Sequence, residues 1–227
     1  SARWLSLLAL VHGLPGWRRH GLSFALGLLA VAALPPIYAV PVLIISFTGL
    51  IWLIESARNW RSAVALGWWF GFGYFVAGLY WIANALLTDP ERFGWMIPFA
   101  VGGLSAYFAA FPAIAALVTY LTKTRGVRCA IVLSGAWTLG EWLRGIVLSG
   151  FAWNPIGSTW VAVEPVLQTA AVTGVYGLSM LTVLTGASAA VIKPGRRASY
   201  LLPGACAIFL MLVWAAGANR LANISGD

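Results

Sequence analysis

An all-α polytopic membrane protein of about seven transmembrane helices is predicted by three observations. Hydrophobic residues make up 61% of the chain and charged residues only 9%. The mean hydropathy is +0.87, outside the range of water-soluble domains. Pro, Gly and charge divide the 227 residues into apolar runs close to the roughly 20 residues that cross a bilayer as a helix.

The expected elements follow in chain order. Residues 1–17 read as a cytoplasmic or interfacial leader: the apolar run is short, Arg18 and Arg19 follow it, and no small-x-small cleavage site precedes the next segment. Spans are expected at 18–34, 37–54, 62–87, 95–121, 129–148, 166–192 and 200–217, so that 18–217 forms one helical membrane domain and 218–227 follows it on the outer side. Pro35-Pro36 forces a sharp turn between the first two spans. Pro98 and Pro112 must kink the fourth span or occupy its first turn.

Charge tests this division. With the N-terminus cytoplasmic, eleven of the fourteen basic residues fall on the inner side (Arg3, Arg18, Arg19, Arg58, Arg61, Lys123, Arg125, Arg128, Lys193, Arg196, Arg197), and only Arg92, Arg144 and Arg220 fall outward. Such a bias is the signature of cytoplasmic loops, and it places the C-terminus on the outer side. It also explains the net charge of +8 without nucleic acid, which would require basic residues gathered with stacking aromatics on one face. Cys129 and Cys206 lack metal or disulfide spacing and read as buried free thiols.

Four stretches combine polar groups with apolar surroundings. Glu141 and Arg144 share a helix face at i and i+3 within the fifth span, where they can pair as a structural lock or shape a site. Directly after them, Gly150-Phe-Ala-Trp-Asn-Pro-Ile-Gly157 offers bending glycines, an interfacial Trp153 and an Asn154 able to satisfy freed backbone. It is either a structured re-entrant element or an aromatic turn at the membrane boundary. In the third span, Gly67, Gly71 and Gly78 leave room among dense rings as far as Trp81, for helix packing or for an acyl groove; Asn84 can orient a headgroup or cap backbone. In the sixth span, Thr173-Gly-Val-Tyr176-Gly-Leu-Ser179 lines one side with small and hydroxyl residues, as helix packing requires. His12 and His20 lie near the inner N-terminus, away from Glu141, so no nucleophile triad, metal cluster or phosphate loop can be assembled and no cofactor is expected.

In their order, GWWFGFGYFVAGLYWI, EWLRG, GFAWNPIG and VTGVYGLS resemble the N-terminal membrane region of bacterial apolipoprotein N-acyltransferases, over nearly the whole chain from Gly16 through the seventh span. The resemblance implies a multi-pass enzyme of the bacterial inner membrane. It takes an acyl chain from a phospholipid, holds it as a thioester, and passes it to the amino group of the diacylglyceryl-cysteine of an apolipoprotein. It further implies that a Glu-Lys-Cys triad resides in a nitrilase-like domain that would follow residue 227, so this chain alone is expected to be inactive and to admit and position lipids. The residues expected to bind or shape that site are Glu141, Arg144, Gly150, Phe151, Trp153, Asn154, Trp81, Asn84 and Tyr176. A small ion- or proton-coupled transporter using the Glu141/Arg144 pair, and a non-catalytic membrane scaffold, are the competing expectations.

Overall fold

The computed structural model describes residues 11, 13–148 and 150–224, and among them every regular element is helical. Most of the expected leader, together with residues 225–227, lies outside the described residues. The α-helices are α1 (Gly16–Val31), α2 (Val42–Glu55), α3 (Trp60–Gly78), α4 (Ile82–Leu86), α5 (Pro90–Phe93), α6 (Ile97–Phe108), α7 (Ala110–Leu121), α8 (Val127–Arg144), α9 (Glu164–Leu167), α10 (Ala170–Ser188) and α11 (Leu201–Ile224). Three helical runs, 90–121, 170–191 and 197–223, are long and apolar enough to cross a membrane, and α2 is a shorter apolar helix.

Some helix breaks fall near the residues that the sequence singles out, whereas the third expected span, 62–87, is interrupted at 79–81 between α3 and α4. Pro98 sits in the first turn of α6, and Pro112 lies just beyond the junction of α6 with α7. Asn59 caps α3 by accepting the Ser62 N–H at 2.9 Å. The Pro-Pro turn lies between α1 and α2, and the Ala39 N–H closes it on the Ala32 carbonyl at 2.8 Å. Within α10, Gly174 has φ +67 and ψ 178, so the N-terminal end of the sixth expected span is kinked from its body.

Helix α3 is the hub. Its glycines do what small residues do between membrane helices, removing side chains so that backbones touch. A methyl group on Gly27 of α1 would overlap the Phe70 carbonyl of α3, and one on Gly73 of α3 would overlap the Phe24 carbonyl of α1. The two helices therefore notch into each other, and the Ser23 hydroxyl donates across the seam to the Leu66 carbonyl at 2.7 Å. On another side of α3, Gly67 and Gly71 receive α7 at Ala109, Pro112, Ala113 and Ala116. These gaps are filled by neighbouring helices, so close packing, rather than an open acyl groove, accounts for them. Gly78 is different: the side chain of Asn154 occupies its space.

Across the bundle, Trp137 of α8 stands edge-on to Phe47 of α2 and to Phe70 and Tyr74 of α3, at centroid distances of 5.1, 5.8 and 6.1 Å. Edge-to-face contacts place positive ring edges against negative faces and add to the burial of large apolar area. Both cysteines are buried and unpaired. Helix α11 packs on α9 and α10, with Gly217 seated against the Pro165 carbonyl.

Replacing Gly27 with Leu should destabilise the α1/α3 notch by at least about 1–3 kcal/mol, the usual cost of overpacking. Gly102→Ala, in the interior of α6 with open space around it, should be neutral or gain up to about 1 kcal/mol from helix propensity. Thermal unfolding in detergent, followed by Trp fluorescence, separates the two.

Candidate functional site

The site begins at the end of α8. Gly145 stops the helix, and the chain folds back so that the Phe151 N–H donates to the Arg144 carbonyl at 2.8 Å. Gly150 makes the return possible: its φ is +73, and a side chain there would strike the Gly145 carbonyl. The chain then runs irregularly from Phe151 to Pro155 and coils into a 3-10 turn at Ile156–Ala162.

Glu141 and Arg144 are both buried, at 6% and 2% exposure. Among the described residues, no ion pair joins them within 4.0 Å, which corrects the expectation from their i, i+3 spacing. Each instead holds the returning loop. One carboxylate oxygen of Glu141 accepts from the Ile156 N–H at 2.8 Å and from the Trp137 indole N–H at 2.9 Å. The Arg144 guanidinium donates to the Phe151 carbonyl at 2.9 Å and to the Trp153 carbonyl. Its flat face lies 5.1 and 5.7 Å from the ring centres of Phe75 and Phe108, and Phe151 stacks on Phe108 at 4.6 Å. The physical reason is supply and demand: an irregular backbone in apolar surroundings presents donors and acceptors that a single type of charge cannot satisfy. The anion serves the N–H and the cation serves the carbonyls. The second Glu141 oxygen has no hydrogen-bond partner, and Glu141 and Arg144 both line a void of about 10 Å³, on the scale of one water.

Further ties fix the loop to the helices around it. Asn154 takes a left-handed conformation, φ +55, which Asn tolerates better than most residues. Its side-chain amide donates to the Gly78 carbonyl, and its own carbonyl accepts from the Tyr74 hydroxyl at 2.9 Å. The Gly157 N–H donates to the Ser179 hydroxyl at 2.9 Å, Trp160 Nε1 donates to the Thr182 hydroxyl at 2.7 Å, and Thr159 donates to the Ala33 carbonyl beyond the end of α1. Four regions of the bundle thus hold one loop: the end of α1, and helices α3, α8 and α10.

One face of this loop walls a half-open cavity of about 420 Å³. Val31, Leu34 and Pro35 form a second wall, Ala77 to Trp81 a third, and Ala152 to Pro155 with Ser158 complete the lining. Trp81 and Trp153, both exposed, lie with ring centres 5.4 Å apart in this lining. Of the residues singled out in the sequence, Trp81, Trp153 and Asn154 line the cavity. Glu141 and Arg144 lie behind its wall, and Gly150 and Phe151 shape the loop. Tyr176 sits outside the lining, with its hydroxyl against Gly145. Asn84 is exposed on α4 and does not reach the cavity. Sequence reasoning passed over the wall at Val31 to Pro35, for which the only signal was the Pro-Pro break. It also passed over Tyr74, whose hydroxyl looks in sequence like one more ring of an aromatic run.

Residues 26–188, which include every element of this site, match the domain family described as apolipoprotein N-acyltransferase N-terminal domain. Similar curated proteins named apolipoprotein N-acyltransferase include those of Allorhizobium ampelinum (40% identical over 186 residues), Brucella suis biovar 1 (41% over 179) and Rhodopseudomonas palustris (42% over 176). These alignments cover 78, 75 and 74% of this chain but 35, 34 and 32% of the relatives, so the chain spans about a third of their length.

Arg144→Ala orphans two carbonyls and should cost roughly 1–3 kcal/mol for each group left buried and unpaired. The loop should loosen with it, seen as a red shift of Trp153 emission and new protease cleavage within 145–156. Glu141→Gln keeps an acceptor oxygen for the Ile156 N–H and should be the milder change.

Proposed function

The chain belongs to the apolipoprotein N-acyltransferase family, and on that premise we propose that it is the membrane domain that admits lipid substrates and holds their headgroups for N-acylation of lipoproteins. The donor in this reading is a phospholipid and the acceptor is the amino group of a diacylglyceryl-cysteine. Both are anchored in the bilayer by their chains. The setting is the bacterial inner membrane, crossed by about seven spans with the N-terminus cytoplasmic and the C-terminus periplasmic, as the distribution of basic residues suggests. Bond making belongs to a nitrilase-like part of the enzyme, and none of the residues described here is assigned to it.

The observation that carries this reading is the cavity with its pinned wall. A lipid headgroup has to be stopped at a fixed height and orientation before a reacting atom can reach it, and holding two partners in place supplies much of the rate of a bimolecular reaction. The loop from Phe151 to Ile156 is suited to that task because its backbone is tied on several sides. The two Trp rings in the lining offer surfaces that are apolar on the face and polar at the edge, a match for the boundary between acyl chain and headgroup. The transporter alternative needs buried charges that can exchange partners during a cycle, and both Glu141 and Arg144 are engaged with loop backbone.

In the full-length enzyme, Trp81→Ala and Trp153→Ala should each raise the KM for phospholipid roughly five-fold, as for about 1 kcal/mol of lost ring contact, with membrane abundance unchanged. Asn84→Ala should stay within about two-fold of the parent. Parent-like kinetics in both Trp variants would remove the cavity from the reaction.

A further inference from the structure

At the end of the bundle opposite the cavity, the basic loops meet. The connection from α7 to α8 and the connection from α10 to α11 border one cavity of about 290 Å³. Arg125 comes from the first, and Lys193 and Arg196 come from the second. Among the described residues, no acidic one lines this cavity. Among the described residues, none of these three side chains has an ion pair or a hydrogen bond. The nearest carboxylate on this end, Glu55, lines a neighbouring cavity with Lys123, where Arg125 also forms part of the wall.

The arrangement is built rather than accidental. The buried Ser199 hydroxyl accepts the Lys193 N–H at 2.9 Å and donates to the Arg196 carbonyl at 2.7 Å, while the Arg196 N–H donates to the Lys193 carbonyl at 3.0 Å. Gly195, at φ +85, lets the turn close. Lys193 and Arg196 are therefore displayed from a fixed turn. Opposite them, Gly126 at φ +63 ends the other loop beside Arg125. A bias of basic residues toward one side of a membrane explains why these loops carry positive charge. It does not by itself account for three exposed cations from two loops lining one cavity with no carboxylate among its described lining residues.

We infer that this cavity is a binding site for the phosphate group of a membrane lipid. Phosphate is a group that cations lining one cavity recognise, and basic pockets between membrane helices are suited to lipid headgroups. The surroundings favour a lipid over a soluble ester: Val127 and Val191 line the same cavity, and Val127 together with Leu121 and Leu201, a few residues along the chain from its lining, is exposed. This site is separate from the cavity at Trp81 and Trp153 and does not depend on the function proposed for it.

The test uses the natural full-length polypeptide that carries this sequence, reconstituted in nanodiscs of phosphatidylcholine with a rising fraction of phosphatidylglycerol. Native mass spectrometry then counts retained phosphatidylglycerol. Each cation near a lipid surface contributes roughly a five-fold effect. The triple variant Arg125→Gln, Lys193→Gln, Arg196→Gln should therefore lose retention by more than ten-fold. A control that removes equal charge elsewhere on this end, Arg18→Gln, Arg58→Gln, Arg61→Gln, should stay within about two-fold of the parent. Equal retention by the triple variant, or an equal fall in the control, would overturn the site. Displacement of the lipid by millimolar glycerol phosphate would overturn its assignment to lipid. Should the triple variant fail to elute as a single species, the single exposed change Lys193→Glu takes its place, with a clear loss expected and unchanged retention overturning the proposal.

Discussion

The segment between Phe151 and Ile156 places irregular backbone at the end of an apolar helix bundle, and each of its polar groups needs a partner there. Helices solve this problem internally, and a loop cannot. Glu141 and Arg144 solve it from outside by dividing the work according to charge, one accepting from an N–H and the other donating to two carbonyls. Burying either charge alone would be costly, and burying both without the loop would leave their hydrogen-bonding capacity unused. The loop and the two charges therefore account for one another. The shape of the adjoining cavity follows from that bargain, because the same residues whose backbone is satisfied on one side form a wall on the other.

The hub at α3 makes the arrangement possible at a distance. Glycine notches bring α1 and α7 against α3, which sets the ends of α1 and α3 close enough for one loop to reach both. Tyr74 and Gly78 then offer a hydroxyl and a carbonyl one helical turn apart, and Asn154 uses both. Trp137 connects the levels: its ring packs into the aromatic core while its N–H reaches Glu141. Packing in the middle of the bundle and hydrogen bonding at its end are thus parts of one contact network.

Much of this was legible in the sequence. Composition and apolar runs gave the helical class, Pro98 and Pro112 marked the segmentation of the fourth span, and the glycines of the third span announced close packing. Glu141, Arg144 and the following Gly-Phe-Ala-Trp-Asn-Pro stretch were recognisable as belonging together. Their partners were not. Spacing of i and i+3 says that two side chains share a face, but the direction each one turns depends on a loop about ten residues further on, and no local rule contains that. Gly27 was silent for a similar reason: a single glycine in an apolar helix shows nothing until the helix it receives is known. The wall contributed by Val31, Leu34 and Pro35 comes from a span that is distant in sequence, and only the crossing of α1 with α3 brings it to the site.

The ties of the Phe151 to Ala162 stretch also set an order of assembly. Ala33 and Gly78 precede it in the chain, whereas Ser179 and Thr182 follow it. During synthesis the loop emerges after its first anchors and before its last, so it cannot be fully seated until α10 has joined the bundle. Until then the Gly157 N–H and the Trp160 indole N–H lack the hydroxyls that receive them, while the bonds to Arg144, Glu141 and Gly78 can already form. The cavity lining is thus synthesised before the last support of its loop, and a defect in placing α10 would leave that lining in place while the turn at Ile156–Ala162 lost its ties to Ser179 and Thr182.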